Sequence, residues 1–104
     1  MRHDWDTMDI DEFNAALDYL LLTLEGRVNP THLEQYREYR DVGEETLAVD
    51  SIACAIHEDG IPLSRKEFEK LKYLLYAIKG PTKWEPYIQR RDEIMESVKI
   101  IGEA

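Results

Sequence analysis

Apolar positions recur along this chain at helical spacing, and they divide it into about five segments. Between Asp9 and Glu25, the residues Phe13, Leu17, Leu20, Leu21 and Leu24 fall on one stripe, as in a helix that buries a single face. A second segment, 31–41, is largely polar; Leu33 and Tyr36 are its inward candidates, with Tyr39 or Arg40 beside them. A third, 44–58, is apolar nearly all round between Leu47 and Ile56, interrupted only by Asp50 and Ser51. It is the predicted central helix. A fourth, 65–79, carries Phe68, Leu71, Leu74, Leu75 and Ile78, and a fifth begins near Pro86 and carries Tyr87, Ile88, Arg91, Ile94, Met95, Val98 and Ile101. No five-residue stretch combines alternating polarity with β-branched residues, so no strand is predicted. The expected class is all-α: a compact single-domain bundle of about five helices over residues 9–104. Residues 1–8 are expected to form an N-terminal arm that Trp5 can pin to the body.

Punctuation supports these boundaries. Gly26, Gly43, Gly60, Gly80 and Gly102 all fall where a helical pattern ends, and glycine closes helices in the left-handed conformation that a Cβ disfavours. Asp9 with Glu12, Thr31 with Glu34, and Ser64 with Glu67 have capping-box spacing, in which an oxygen acceptor precedes an acid by three residues. The prolines lie between segments or at a start, and the short connections suit a helical bundle.

Charge sharpens the picture. The net charge is −9 over 104 residues. Residues 1–60 hold 15 acids against 4 bases, a balance of −11, whereas residues 61–104 hold 7 against 9, a balance of +2. An acidic first half disfavours nucleic acid and anionic lipid and favours a basic partner. The helical outline of the second and third segments suggests a DNA-binding helix pair, but the second of that pair carries Glu44, Glu45, Asp50 and Glu58 where bases are needed. One cysteine, Cys54, excludes an intrachain disulfide framework and, between two alanines, is expected to be a buried structural thiol. No apolar leader is visible, and the longest apolar run, Ile52 to Ile56, is far short of a membrane span. These features predict a cytoplasmic protein with no membrane association.

Catalytic and metal templates fit poorly. His3, His32 and His57 have no helical partner at zinc-ligand spacing, and His57 is expected at the surface near a helix C-terminus. Asp4, Asp6, Asp9 and Asp11 lack the glycine that a calcium loop requires. Cys54 and His57 are three residues apart but lack an oxyanion loop and an orienting group. Adjacent acids such as Glu44–Glu45 and Glu58–Asp59 are expected to be helix-end charges rather than acid–base catalysts. The chain is therefore expected not to be an enzyme and to need no metal or cofactor. Binding remains. Six tyrosines and two tryptophans are many for a small acidic domain, and such rings are enriched at interface hot spots. The expected contact residues are the aromatic Tyr36, Tyr39 and Trp84, in segments with the weakest claim on the core, and the carboxylates Asp41, Glu44, Glu45, Glu58 and Asp59.

The middle of the chain resembles a known family. Gly26-Arg27, Tyr36-Arg37-Glu38-Tyr39, Gly43-Glu44, Leu47-Ala48, Glu58, and Ile61-Pro62-Leu63-Ser64 followed by Glu67-Phe68 resemble, in order and spacing, the MafI-like immunity proteins of bacterial polymorphic and contact-dependent growth inhibition toxin systems. The likeness covers roughly residues 20–80. It implies a helical fold and one task, binding the C-terminal domain of a cognate toxin so that the producing cell survives; several such toxins are ribonucleases. A basic nuclease cleft suits an acidic inhibitor that occludes it without chemistry. The alternative is an acidic helical adaptor, or a homodimeric interaction domain, unrelated to toxins.

Overall fold

The computed structural model describes residues 9–80 and 83–101. The expected arm at 1–8 and the glycine at 102 lie outside the described residues. The rest is all-α, with six helices and no strand among the described residues: α1 (Ile10–Thr23), α2 (Pro30–Asp41), α3 (Glu45–Asp59), α4 (Arg65–Ala77), α5 (Pro86–Gln89) and α6 (Arg91–Ser97). α1 packs along α4, and α2 folds back along α3 as a hairpin. α3 also meets α4, α5 and α6, which makes it the central helix. Phe13, Leu17, Leu20 and Leu24 of the α1 stripe interlock with Ile52 and Ile56 of α3, with Leu71, Leu74 and Leu75 of α4, and with Ile88 and Ile94. Each such side chain contributes about 1.5–3 kcal/mol by leaving water.

Local signals explain most boundaries. Asp9 accepts from the Asp11 and Glu12 amides, at 3.0 and 3.2 Å, and caps α1. Ser64 and Glu67 form a complete capping box: the Ser64 amide donates to the Glu67 carboxylate at 2.8 Å, and the Glu67 amide donates to the Ser64 hydroxyl at 3.1 Å. The cap of α2 differs from the expected Thr31. Asn29 is the cap, accepting from the Thr31 amide at 2.9 Å, and Pro30 opens the helix. Proline is well suited to that first position because its missing N–H would have had no helical partner. Gly60 ends α3 in the left-handed conformation (φ 64°), and the Ile61 amide returns to the Ile56 carbonyl at 3.1 Å. A Cβ at Gly60 would meet nothing within 4 Å, so Gly60→Ala tests the backbone alone. It is expected to cost about 1 kcal/mol and to lower the melting temperature by roughly 4–8 °C. An unchanged melting curve would contradict this account of the α3 terminus.

The single fifth helix of the sequence reading is two helices. Ile88 and Ile94 are both fully buried, yet six residues of continuous helix would point them about 120° apart. A break at Arg90 (φ −102°, ψ 24°) lets both face the core. The segment also stops being helical at Ser97. Beyond it the Leu63 amide donates to the Lys99 carbonyl at 2.9 Å, and the Ile101 amide donates to the Leu63 carbonyl at 2.8 Å. This isolated parallel bridge leaves Val98 half-buried and Ile101 exposed, so Ile101 is not the inward position its spacing suggests.

Two buried polar side chains position these pieces. Asp50, read from sequence as an interruption of α3, lies inside the protein. Its carboxylate accepts from the Tyr87 and Ile88 amides, at 2.8 and 2.9 Å, and so caps α5 from another helix. Burial raises its pKa above the usual carboxylate range, and those two amides offset part of the rise. Glu67 joins the α4 cap to Arg27, whose guanidinium also donates to the carbonyls of Thr23 (2.9 Å) and Pro62 (3.0 Å). Arg91 completes the other end of α4 by donating to the Leu75 and Ile78 carbonyls, each at 2.8 Å.

Candidate binding surface

The α2–α3 hairpin presents most of the charge of the acidic half. On α2, Leu33 and Tyr36 face inward while Glu34, Glu38 and Asp41 face solvent. The helix also carries two arginines, and both turn toward α1. Arg37 pairs with Glu25 and donates to the Leu21 carbonyl at 3.1 Å. Arg40 makes a two-pronged contact with Asp18, at 2.9 and 3.1 Å. That hydrogen-bonded partnership raises the Arg40 pKa further, with Glu45 and Asp41 adding their fields. Among the described residues, no ion pair engages Glu34, Glu38, Asp41, Glu44, Glu45, Glu58 or Asp59.

α3 is buried except at its ends, at His57 and along one strip. Leu47, Ser51, Cys54 and Glu58 follow one another at four, three and four residues and stay at least partly exposed, while Ala48, Val49, Ile52, Ala53, Ala55 and Ile56 are buried. α2 flanks this strip, and its His32, Gln35 and Tyr36 join Ser51, Cys54, Ala55, Glu58 and Asp59 around an open hollow of about 330 Å³. Tyr36 is buried as a residue, but its hydroxyl is not among the buried polar atoms left without a partner, which among the described residues are Asn14 Oδ1 and Thr23 Oγ1. The Tyr36 pKa is raised by burial and then by the neighbouring Cys54, Asp59 and Tyr39.

Across the strip from α2, Tyr87 of α5 donates to the Glu58 carboxylate at 3.2 Å. Its pKa is pushed up to about 12, first by a hydrogen bond with Cys54 and the charge of that thiol, then by Glu58. The Arg90 guanidinium lies over the Tyr87 ring, 5.6 Å from its centre, and is bound to Glu93 at 2.8 Å. Cys54 is therefore half-exposed at the floor of a groove rather than a buried structural thiol. It looked buried because its flanking alanines are; those point to either side while Cys54 points out. His57 is half-buried, its ring nitrogens facing the Ser97 hydroxyl at 3.3 Å and Arg90 at 3.4 Å. It lines a separate hollow from Cys54.

The expected contact residues are distributed along this hairpin. Tyr36, Glu58 and Asp59 meet in the hollow. Tyr39 is half-buried one turn further along α2, where its hydroxyl accepts from Gln35 at 3.3 Å. Asp41, Glu44 and Glu45 sit at the opposite end, by the turn that joins the helices; with α3 running 15 residues, the two acidic ends are about 20 Å apart. Trp84, 70% exposed with the Lys83 ammonium 5.5 Å from its ring, belongs to that turn end, because the neighbouring Glu85 accepts from Thr46 at 3.5 Å. Eight residues thus form two groups rather than one site. Sequence reasoning did not nominate Tyr87, Ser51 or Gln35 for this surface. The signal for Ser51 was present in the weakly apolar strip through Leu47, Ser51, Cys54 and Glu58; Tyr87 arrives only through the fold.

Among the described residues, no cluster of three or more His, Cys, Asp or Glu side chains is arranged to hold a metal ion, and no helix is long and apolar enough to cross a membrane. The chain matches no protein-family model, no curated protein and no solved structure.

Proposed function

We propose that this chain is a cytoplasmic immunity protein that binds the C-terminal domain of a cognate bacterial toxin, a basic ribonuclease, and silences it stoichiometrically by covering its active site or substrate groove. The observation that carries the reading is the lack of ion pairs to the exposed hairpin carboxylates among the described residues. α2 turns its own arginines toward α1 and, among the described residues, leaves Glu34, Glu38, Asp41 and the acidic ends of α3 without ion pairs. Such a face attracts a basic protein over distance and gains most from neutralisation on contact. The resemblance of residues 20–80 to MafI-like immunity proteins supplies the biological setting.

Two measurements test this. Titrating the purified toxin domain with this protein is expected to abolish ribonuclease activity at one-to-one stoichiometry; activity that persists at saturation would sink the proposal. Glu44→Lys with Asp59→Lys is expected to slow association at least about tenfold at low salt and to flatten its salt dependence. Unchanged kinetics would place the interface elsewhere. The competing reading, an acidic adaptor or homodimer, draws on Leu22 and Val42, apolar side chains 63% and 72% exposed. A concentration-dependent dimer in sedimentation, lost on Leu22→Ser and accompanied by no toxin inhibition, would favour it.

A further inference from the structure

We propose that, whatever partner the hairpin takes, residues 85–97 form a strap that opens from α3 as a single unit while α1 to α4 stay folded. One line of α3 carries the strap. Thr46, Asp50, Ala53 and His57 follow one another at four, three and four residues, a spacing that sets them on one side of a helix. Three of the four hold the strap through polar contacts. The Thr46 hydroxyl donates to Glu85 at 3.5 Å. Asp50 accepts from the Tyr87 and Ile88 amides, at 2.8 and 2.9 Å. The His57 ring nitrogens face the Ser97 hydroxyl at 3.3 Å and Arg90 at 3.4 Å. The tie to α4 is polar as well: Arg91 donates to the Leu75 and Ile78 carbonyls, and Tyr76 donates to Asp92.

The rest of the fold is joined differently. α1 and α4 pack along each other and bury Phe13, Leu17, Leu20, Leu71, Leu74 and Leu75, whereas Ile88 and Ile94 are the only buried side chains of the strap. Polar groups that part regain water, so a polar joint opens at less cost than an apolar one. α5 and α6 are four and seven residues long, and neither is capped by its own N-cap side chain. Helices so short do not hold themselves in water, so losing the α3 line releases both. The bridge from Leu63 to Lys99 and Ile101 lies beyond the strap and keeps its far end tethered. Opening bares the Asp50 carboxylate and frees Glu58 from Tyr87. Both lie beside the exposed strip of α3, so the open form presents a wider acidic surface. A basic partner that takes Glu58 from Tyr87 favours that form.

The test is hydrogen exchange of the full chain, 15N-labelled, at a series of low guanidinium concentrations. Asp50 holds the Ile88 amide, and the Ile94 amide donates to the Arg90 carbonyl at 3.0 Å. The two are expected to share one opening equilibrium, at least about tenfold more populated than that of Leu20 and Leu74. Their exchange is also expected to rise less steeply with guanidinium, because the strap exposes less surface than global unfolding does. Two variants test whether the strap moves as one. His57→Ala removes contacts to Arg90 and Ser97, and Tyr87→Phe removes the contact to Glu58. Each is expected to raise the opening severalfold at both Ile88 and Ile94, with Leu20 and Leu74 unchanged. Protection at Ile88 and Ile94 equal to that at Leu20 and Leu74 would overturn the strap. So would a variant effect confined to one of the two isoleucines, or one spread evenly over the core.

Discussion

Glu67→Ala is expected to lower the free energy of unfolding by about 3 kcal/mol, measured by chemical denaturation, because one carboxylate serves two structures at once. Its backbone-facing oxygen closes the capping box of α4, and its other oxygen holds Arg27, which in turn gathers the end of α1 and the Pro62 carbonyl. Truncation leaves the Ser64 amide and a third-exposed guanidinium without that partner. The exposure of Arg27 keeps the loss below that of a fully buried pair. Ser64→Ala, which removes only half of the cap, is expected to cost about 1 kcal/mol. Equal losses in the two variants would show that the link to Arg27 contributes nothing.

The same residue gives stability a pH dependence whose sign is fixed. Burial opposes the charged form of Glu67, but the Ser64 amide and Arg27 outweigh it and hold the pKa below its ordinary value of 4.5. Its contribution is therefore full above the unfolded-state value and is lost as pH falls through the lower folded-state value. Asp50 acts in the opposite direction. Its folded-state pKa is raised above 3.8, so the fold binds its proton more readily than the unfolded chain does, and stability from this group rises as pH falls through that value. Glu67→Gln is expected to flatten the acid limb of the stability profile, and Asp50→Asn to steepen it. The reverse order would refute both assignments.

Asp50→Ala is expected to cost about 2–4 kcal/mol, the penalty for one buried and one part-buried amide donor left without an acceptor. The loss has an address. Hydrogen exchange at Ile88 is expected to accelerate more than at Leu20 or Leu74, since α5 is only four residues long and cannot hold itself. Asp50→Asn retains the accepting oxygen and is expected to cost about 1 kcal/mol. Uniform acceleration across the protein would mean that Asp50 supports the whole core rather than the attachment of α5.

Helices α1 to α4 were legible in the sequence because each has a repeating apolar stripe together with a cap or a closing glycine. Where two capping signals competed, as at Asn29 and Thr31, proline decided: Pro30 fits only as the first helical residue, which moves the cap to Asn29. The split of the last helix was hidden because helical periodicity alone does not reveal that both Ile88 and Ile94 must reach α3, nor that an aspartate 37 positions earlier supplies the cap. Asp50 itself looked like a blemish in an apolar helix; only its partners turn it into a connector. Composition pointed to the acidic hairpin, but the inward turn of Arg37 and Arg40 depends on where α1 offers Glu25 and Asp18. The hollow beside Tyr36 depends in the same way on how two helices meet.

The backbone bridge at Leu63 also carries a consequence for synthesis. Its partners, Lys99 and Ile101, leave the ribosome on the order of seconds after Leu63 does. During that interval α1 to α4 can assemble, while the open link between α3 and α4 holds Ile61 and Leu63 near the surface with an unmatched donor and acceptor. Nascent chains stalled before Lys99 are therefore expected to be cut by protease near residues 61–64, and chains released after Ile101 to resist. The protein completes its fold late, when a short extended segment closes over a joint that its helices leave open.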